Sequence, residues 1–230
     1  MLTMTHKTGL PKTDARGFLS KMELFKNVPP LLLAGLEPRM REKKYAKRES
    51  IFLEGDPAEF IWFVKEGHVK EVIHSMGGRD MILAMVGANG LFGTSSFIGD
   101  THLCQAIAET DATVVSFPAK DFLAFMDKCP SVGRSIIAKL SKLLRQSKEM
   151  QTFDQESVEK RILHVLLNLV EEFGDTIPLT RKEIADMVGT TVESSIRTFV
   201  RLEREKLVAT ERGKIIIRNV QDLADRLEEL

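Results

Sequence analysis

"TRKEIADMVGTTVESSIRTFVRLEREKLVA", residues 180–209, carries two helical patterns separated by a single glycine. Thr180 can cap a helix, and Glu183 at the third helical position completes a capping box. The spacing predicts a helix over Arg181–Val188, stopped by Gly189, the residue type that enters a left-handed turn without steric cost. A second helix is predicted from Thr190-Thr191-Val192-Glu193 to about Lys206, with Ile184, Met187, Val188, Ile196, Phe199, Val200 and Leu202 as the apolar sides of the pair. Val192, Glu193, Ser194 and Arg197 fall in the first turns of that helix, apart from the apolar positions. In a helix-turn-helix those residues meet base edges in the major groove. Arg197 can bond guanine bidentately and Glu193 can accept from a cytosine amino group. Their four-residue spacing also lets Glu193 hold the Arg197 guanidinium. Thr180, Arg181, Thr191 and Ser194 suit phosphate contacts, which set register rather than sequence. Downstream, "ERGKIIIRN" reads as a hairpin turning at Gly213, which makes the module a winged one.

Upstream, "SVEKRILHVLLNLVEEFG" (157–174) is an amphipathic helix with Gly174 as its stop. Before it, "SVGRSIIAKLSKLLRQSKEM" (131–150) has no breaker after Gly133. Ile136, Leu140, Leu143, Ser147 and Met150 are spaced as a heptad seam, widened by Leu144, which predicts a dimer helix. A helix packed on its own barrel is the alternative. Between about 43 and 120, short apolar segments alternate with the turn signals Gly55-Asp56, Gly67, Gly77-Gly78 and Gly87 to Gly90. No helical period runs through them, so a β-barrel or sandwich is expected. The fold class is therefore α+β.

The chain's 230 residues, 43% of them hydrophobic, are enough for two domains with cores of their own. The expected division is a flexible leader over 1–19, a β-sensor domain over 20–130, a dimerisation helix over 131–153 and a winged helix-turn-helix over 154–230. Lys plus Arg balance Asp plus Glu at 33 each, but residues 180–218 carry nine basic against six acidic residues, a local +3. Cys104 and Cys129 are the only cysteines, too few for a disulfide framework, and a reduced cytoplasmic setting is expected. No apolar run is long enough to span a membrane. The sequence carries no nucleophile elbow, P-loop, HExxH or paired-cysteine zinc motif, so the expectation is a protein that is not an enzyme.

Over nearly its whole length the chain resembles the CRP/FNR family of transcription regulators. "FLEGDPAEFIWFVKEGHVKE" is similar to the family's β-roll signature, and residues 180–208 to its DNA-reading module. The resemblance implies a cyclic-nucleotide-binding-type β-roll, a long dimerisation helix and a winged helix-turn-helix. It also implies a cytoplasmic homodimer, acting as an activator on inverted-repeat double-stranded DNA and contacting RNA polymerase. Glu193 and Arg197 would occupy the family's two main base-reading positions. Val192 stands where the cAMP-dependent branch has an arginine, and Ile196 where the FNR branch usually has a serine.

The loop "GLFGTSSFIGDTHLCQA" (90–106) aligns with the family's phosphate-binding cassette. Gly93 and Ala106 keep the pattern. Thr94 replaces the glutamate that grips the ribose, Cys104 the arginine that neutralises the cyclic phosphate, and Gln105 its neighbouring serine. Leu143 and Leu144 replace the polar residues that reach the purine. An anion buried without its arginine loses its main charge partner, which argues against cAMP. An FNR-type iron–sulfur cluster needs four thiolates, and the chain has two cysteines. What remains is an apolar effector pocket of Phe92, Gly93, Thr94, Phe97, His102, Cys104, Leu143 and Leu144, rimmed also by Ile98 and Leu103. His102 and Cys104 are candidate haem ligands. The expected signal is a small molecule, a redox change or a gas via haem, with a loop that holds nothing as the alternative. The competing function is a haem- or small-ligand-binding β-roll protein whose C-terminal helices do not read DNA.

Overall fold

A computed structural model describes residues 15–74, 80–152 and 157–230, with the side chains of 15–16, 80, 142–143 and 146–152 outside the description. The described residues divide into two compact units: one runs to Glu71 and resumes over Val86–Ala138, and the other takes Val72–Met85 and Lys139–Leu230.

The N-terminal half opens with short helices α1 (Ala15–Leu19) and α2 (Pro30–Leu36). Eight strands follow: β1 (Arg41–Tyr45), β2 (Ser50–Phe52), β3 (Phe60–Glu66), β4 (Val69–His74), β5 (Asp80–Val86), β6 (Leu91–Phe92), β7 (Gln105–Ala108) and β8 (Ala112–Pro118). They form two four-stranded sheets, in the orders β1-β8-β3-β6 and β2-β7-β4-β5, which is the expected β-roll. Strand β8 reads as an unbroken apolar run because it is central, paired antiparallel to β1 and β3. Its residues from Ala112 to Phe117 are all buried. Gly67 carries the turn into β4 at φ +79°; a Cβ there would lie 2.3 Å from the Asp111 carbonyl oxygen, so only glycine fits.

One face of the β1-β8-β3-β6 sheet is covered by the N-terminal helices, by α3 (Ala119–Lys128) and by the start of α4 (Pro130–Thr152). Phe63 and Phe117 meet edge to face at 5.8 Å, and Phe122 packs on both. Phe18 and Leu19 belong to this core, so the leader expected to reach residue 19 is shorter: Ala15–Leu19 is a helix whose apolar residues are needed to close the sheet. Residues 1–14 of that leader, and the Gly77-Gly78 turn, lie outside the described residues.

The C-terminal half contains α5 (Val158–Phe173), β9 (Thr176–Ile177), α6 (Arg181–Val188), α7 (Val192–Arg204), β10 (Val208–Glu211), β11 (Lys214–Ile217) and α8 (Val220–Glu228). Ser157 caps α5 by accepting from the Lys160 amide, and Gly174 ends it at φ +70°. Ile162, Leu163 and Leu166 of α5 pack with Ile184 and Val188 of α6, Phe199 and Leu202 of α7, and Ile215 and Ile217 of the wing. No helix among the described residues is long and apolar enough to cross a membrane.

Candidate nucleic-acid interface and sensor site

The Thr180 hydroxyl accepts from the Glu183 amide while the Glu183 carboxylate accepts from the Thr180 amide at 2.8 Å, the reciprocal capping box expected at the start of α6. Gly189 ends α6 at φ +66°. Arg161 on α5 donates to the Val188 carbonyl at 3.0 Å, tying down the last turn before that glycine. Thr191 caps α7 by accepting from Ser194 N. The buried Ser195 hydroxyl donates to the Arg181 carbonyl at 2.8 Å, which locks the start of α7 against α6.

Glu193 and Arg197 are exposed on α7, with Val192 and Ser194 half-buried beside them. The expected Glu193–Arg197 pair is absent among the described residues. Arg197 Nη2 donates instead to Ser194 Oγ at 3.0 Å, because the capped turn at Thr191 draws the Ser194 hydroxyl within reach. The guanidinium thus faces solvent with no carboxylate to displace. Ile196 and Val200, expected on the packed side, are about two-fifths exposed at 40% and 36%. They lie on the same outward face as Arg197, and apolar side chains there match thymine methyl groups. Thr180, Thr191 and the half-buried Arg181 stand at the first turns of α6 and α7, where free amides and the helix dipoles attract phosphate.

Glu159, in the first turn of α5, is 4% exposed and braces α7 from behind. Its carboxylate pairs with Arg201 of α7 and, at 2.9 Å, with Arg226 of α8. Arg226 also reaches Glu205 and Glu229. Neither the Glu159 brace nor the Arg161 staple was expected from the sequence. Both span long separations, and a charged residue on an amphipathic helix reads as solvated face.

On α4 one residue of the expected seam, Ile136, is turned inward. Ile136 is buried in its own β-roll core with Val132, while Ile137, Leu140 and Leu144 are exposed at 64%, 37% and 57%. The first turns of the helix cover the β3–β8 sheet, so its outward apolar stripe begins one residue later than a strict heptad from Ile136. The side chains of Leu143, Ser147 and Met150 lie outside the described residues.

The expected effector pocket is divided. Phe97 packs inward on Phe122, with ring centres 6.4 Å apart, and Thr94, Ile98 and Leu103 are exposed. The loop turns at Gly93, φ +70°, where a Cβ would lie 2.6 Å from Trp62 Cδ1 and 3.4 Å from His102 Cε1. Around that glycine, Phe52 stacks on His102 at 3.6 Å and neighbours Trp62 and Phe92 at about the 6 Å usual for aromatic pairs. His102 and Cys104 are both buried. The Trp62 Nε1 and His102 Nδ1 atoms are buried without a hydrogen-bond partner.

No local feature pointed to Glu71. From β4 its carboxylate reaches the cassette and accepts from the Gly93 amide at 3.0 Å. The same oxygen accepts from the Cys104 thiol at 3.8 Å. Burial raises the Glu71 pKa above the usual carboxylate range, against the lowering effect of these two donors. Burial, then the Glu71 charge, pushes the Cys104 thiol up to about 12. Burial lowers the His102 pKa, opposed by Asp56. Among the described residues no group of three or more His, Cys, Asp or Glu side chains could hold a metal ion.

Residues 42–129 match the cyclic nucleotide-binding domain model, and 160–226 the Crp-like helix-turn-helix domain model. A cyclic AMP receptor protein of Thermus thermophilus is 26% identical over 83% of this chain and 88% of its own length. A global nitrogen regulator of a Nostoc species is 24% identical over 75% of this chain and 83% of its own. In fold, the chain is similar to FixK2 from Bradyrhizobium japonicum, with a TM-score of 0.71 and 24% identity over 81% of this chain and 96% of that one. A cyclic-nucleotide-type β-roll followed by a Crp-like reading head, in that order and with regulators matching along most of the length, makes this chain a member of the CRP/FNR family of transcription regulators.

Proposed function

We propose that the protein is a homodimeric regulator that reads an inverted-repeat site in double-stranded DNA and responds to a signal other than a cyclic nucleotide. The observation that carries it is Arg197: exposed on the capped first turns of α7, held by Ser194 alone, and flanked by the solvent-facing Glu193 and Ile196. Arg197 and Glu193 read a G·C pair from its two edges, Val192 and Ser194 border it, and Thr180, Arg181 and Thr191 take phosphates. Such an arrangement has no use in a ligand-binding module whose C-terminal helices only pack. Residues 20–130 serve as sensor, 131–153 as the dimerisation helix and 154–230 as reading head, with Leu140 and Leu144 central to the dimer seam. As in the family, the dimer acts in the cytoplasm as an activator that contacts RNA polymerase.

The sensor site does not fit the family's usual ligands. Cyclic AMP would meet a carboxylate where its phosphate needs a cation. Haem would need a thiolate from Cys104, whose proton is held, or an accessible ring nitrogen on His102, which is buried in a stack with Phe52. A small uncharged effector, reaching the unpartnered Trp62 and His102 nitrogens, fits the residues better.

Selection from a pool of randomised duplexes tests the main reading. Repeated rounds should enrich a two-fold symmetric site with half-sites about one helical turn apart, each with a G·C pair at a fixed position. Enrichment of no common sequence would refute it.

A further inference from the structure

We infer that Glu71 is a built-in anion of the cassette: its carboxylate occupies the position of a ligand phosphate and makes this β-roll reject anionic effectors. The inference rests on the cassette alignment underlying the proposed function. In that alignment Gly93 opens the loop, and Cys104 stands where the arginine would neutralise a cyclic phosphate. Glu71 joins both points with one oxygen, 3.0 Å from the Gly93 amide and 3.8 Å from the Cys104 sulfur. The amide that opens an anion cradle is thereby already satisfied from within the chain. The loop is also shut against the aromatic wall, with no room for a Cβ at Gly93 beside Trp62, His102 and Phe52.

The electrostatics follow. A ligand anion entering this loop finds a carboxylate at about 4 Å and, among the described residues, no cation paired with Glu71 or Cys104 to offset it. In a partly buried setting that repulsion is roughly a thousandfold in affinity. Replacing the missing arginine alone does not reverse it, because a guanidinium introduced at position 104 would pair with Glu71 before it met any ligand. Two changes are needed, one to remove the internal anion and one to supply the cation. Glu71 is then a specificity-determining residue, and the neighbouring unpartnered nitrogens of Trp62 and His102 leave the site open only to an uncharged hydrogen-bonding ligand.

The chain's single tryptophan is Trp62, beside Gly93, so its emission reports on the loop directly. Full-length wild type, Glu71→Gln, Cys104→Arg and the double variant are titrated with cyclic AMP and, separately, with inorganic phosphate. Wild type and Cys104→Arg should be silent to both. The double variant should give a saturable change in Trp62 emission, at least about a hundredfold tighter than Cys104→Arg. Glu71→Gln keeps an oxygen for the Gly93 amide and should retain the wild-type melting curve. If the arginine variants fail to fold, Cys104→Lys with and without Glu71→Gln is read by the same criteria. Cys104→Arg responding as tightly as the double variant would overturn the inference, as would a folded double variant that stays silent. The readout involves no DNA, so its failure leaves the reading of DNA by α7 untouched, and failure of DNA selection leaves this result standing.

Discussion

Replacing Glu159 by glutamine removes a charge from the point where α5 and α8 hold the reading helix. The side chain is 4% exposed and serves two arginines, Arg201 and Arg226. Stripping one partner from a fully buried ion pair costs about 3–5 kcal/mol. Here the cost is smaller, because neither arginine is stranded: Arg201 is half in water, its side chain 51% exposed, and Arg226 keeps Glu205 and Glu229. The loss is that of charge-assisted hydrogen bonds partly replaced by neutral ones, about 2 kcal/mol. For a chain of this size that lowers Tm by about 4–8 °C, read by thermal circular dichroism. DNA affinity should fall with it, since Arg201 sits one turn after Arg197, and should recover on cooling well below the new Tm. A melting curve within about 1 °C of wild type would refute the claim that Glu159 clamps α7.

Further outcomes follow from the same structure. Gly67→Ala places a Cβ 2.3 Å from a backbone oxygen at φ +79°, and should cost at least about 2 kcal/mol in denaturant unfolding; a neutral effect would contradict the close approach. His102 has its pKa lowered in the folded protein, chiefly by burial, so the unfolded chain takes up its proton first. Its stability contribution is complete above about pH 6.5, the unfolded value, and is lost as pH falls through the folded one. His102→Phe should flatten that acid limb in urea titrations, and an unchanged slope would count against the assignment. Leu140→Glu with Leu144→Glu puts charges on the exposed stripe of α4 and should yield monomers in sedimentation, with site-specific DNA binding lost. An unchanged dimer would place the interface elsewhere.

The reading head was legible in the sequence because local chemistry specifies it: the Thr180–Glu183 box, Gly189 and Thr191 act within a few residues of themselves. The β-roll was legible from its turn glycines and the short apolar segments between them. What the sequence could not show lies between distant residues. The heptad reading of α4 assumed a helix facing only its partner, whereas Ile136 serves its own core and the free stripe starts at Ile137. Phe97 was expected to line the pocket and instead packs, partly buried, against the core, because the turn at Gly93 and the short helical segment after it rotate it inward. Glu71 has no local signature in the sequence. Its role appears only when the loop at Gly93 and Cys104 closes on it.

The decisive variant for DNA reading by α7 is Arg197→Ala, measured on a site selected by the wild-type protein. Binding to the selected site should weaken by about 1–3 kcal/mol per half-site and preference for the G·C pair should be lost, while binding to unrelated DNA and its salt slope change little. Retention of the wild-type ratio of specific to non-specific affinity would contradict it.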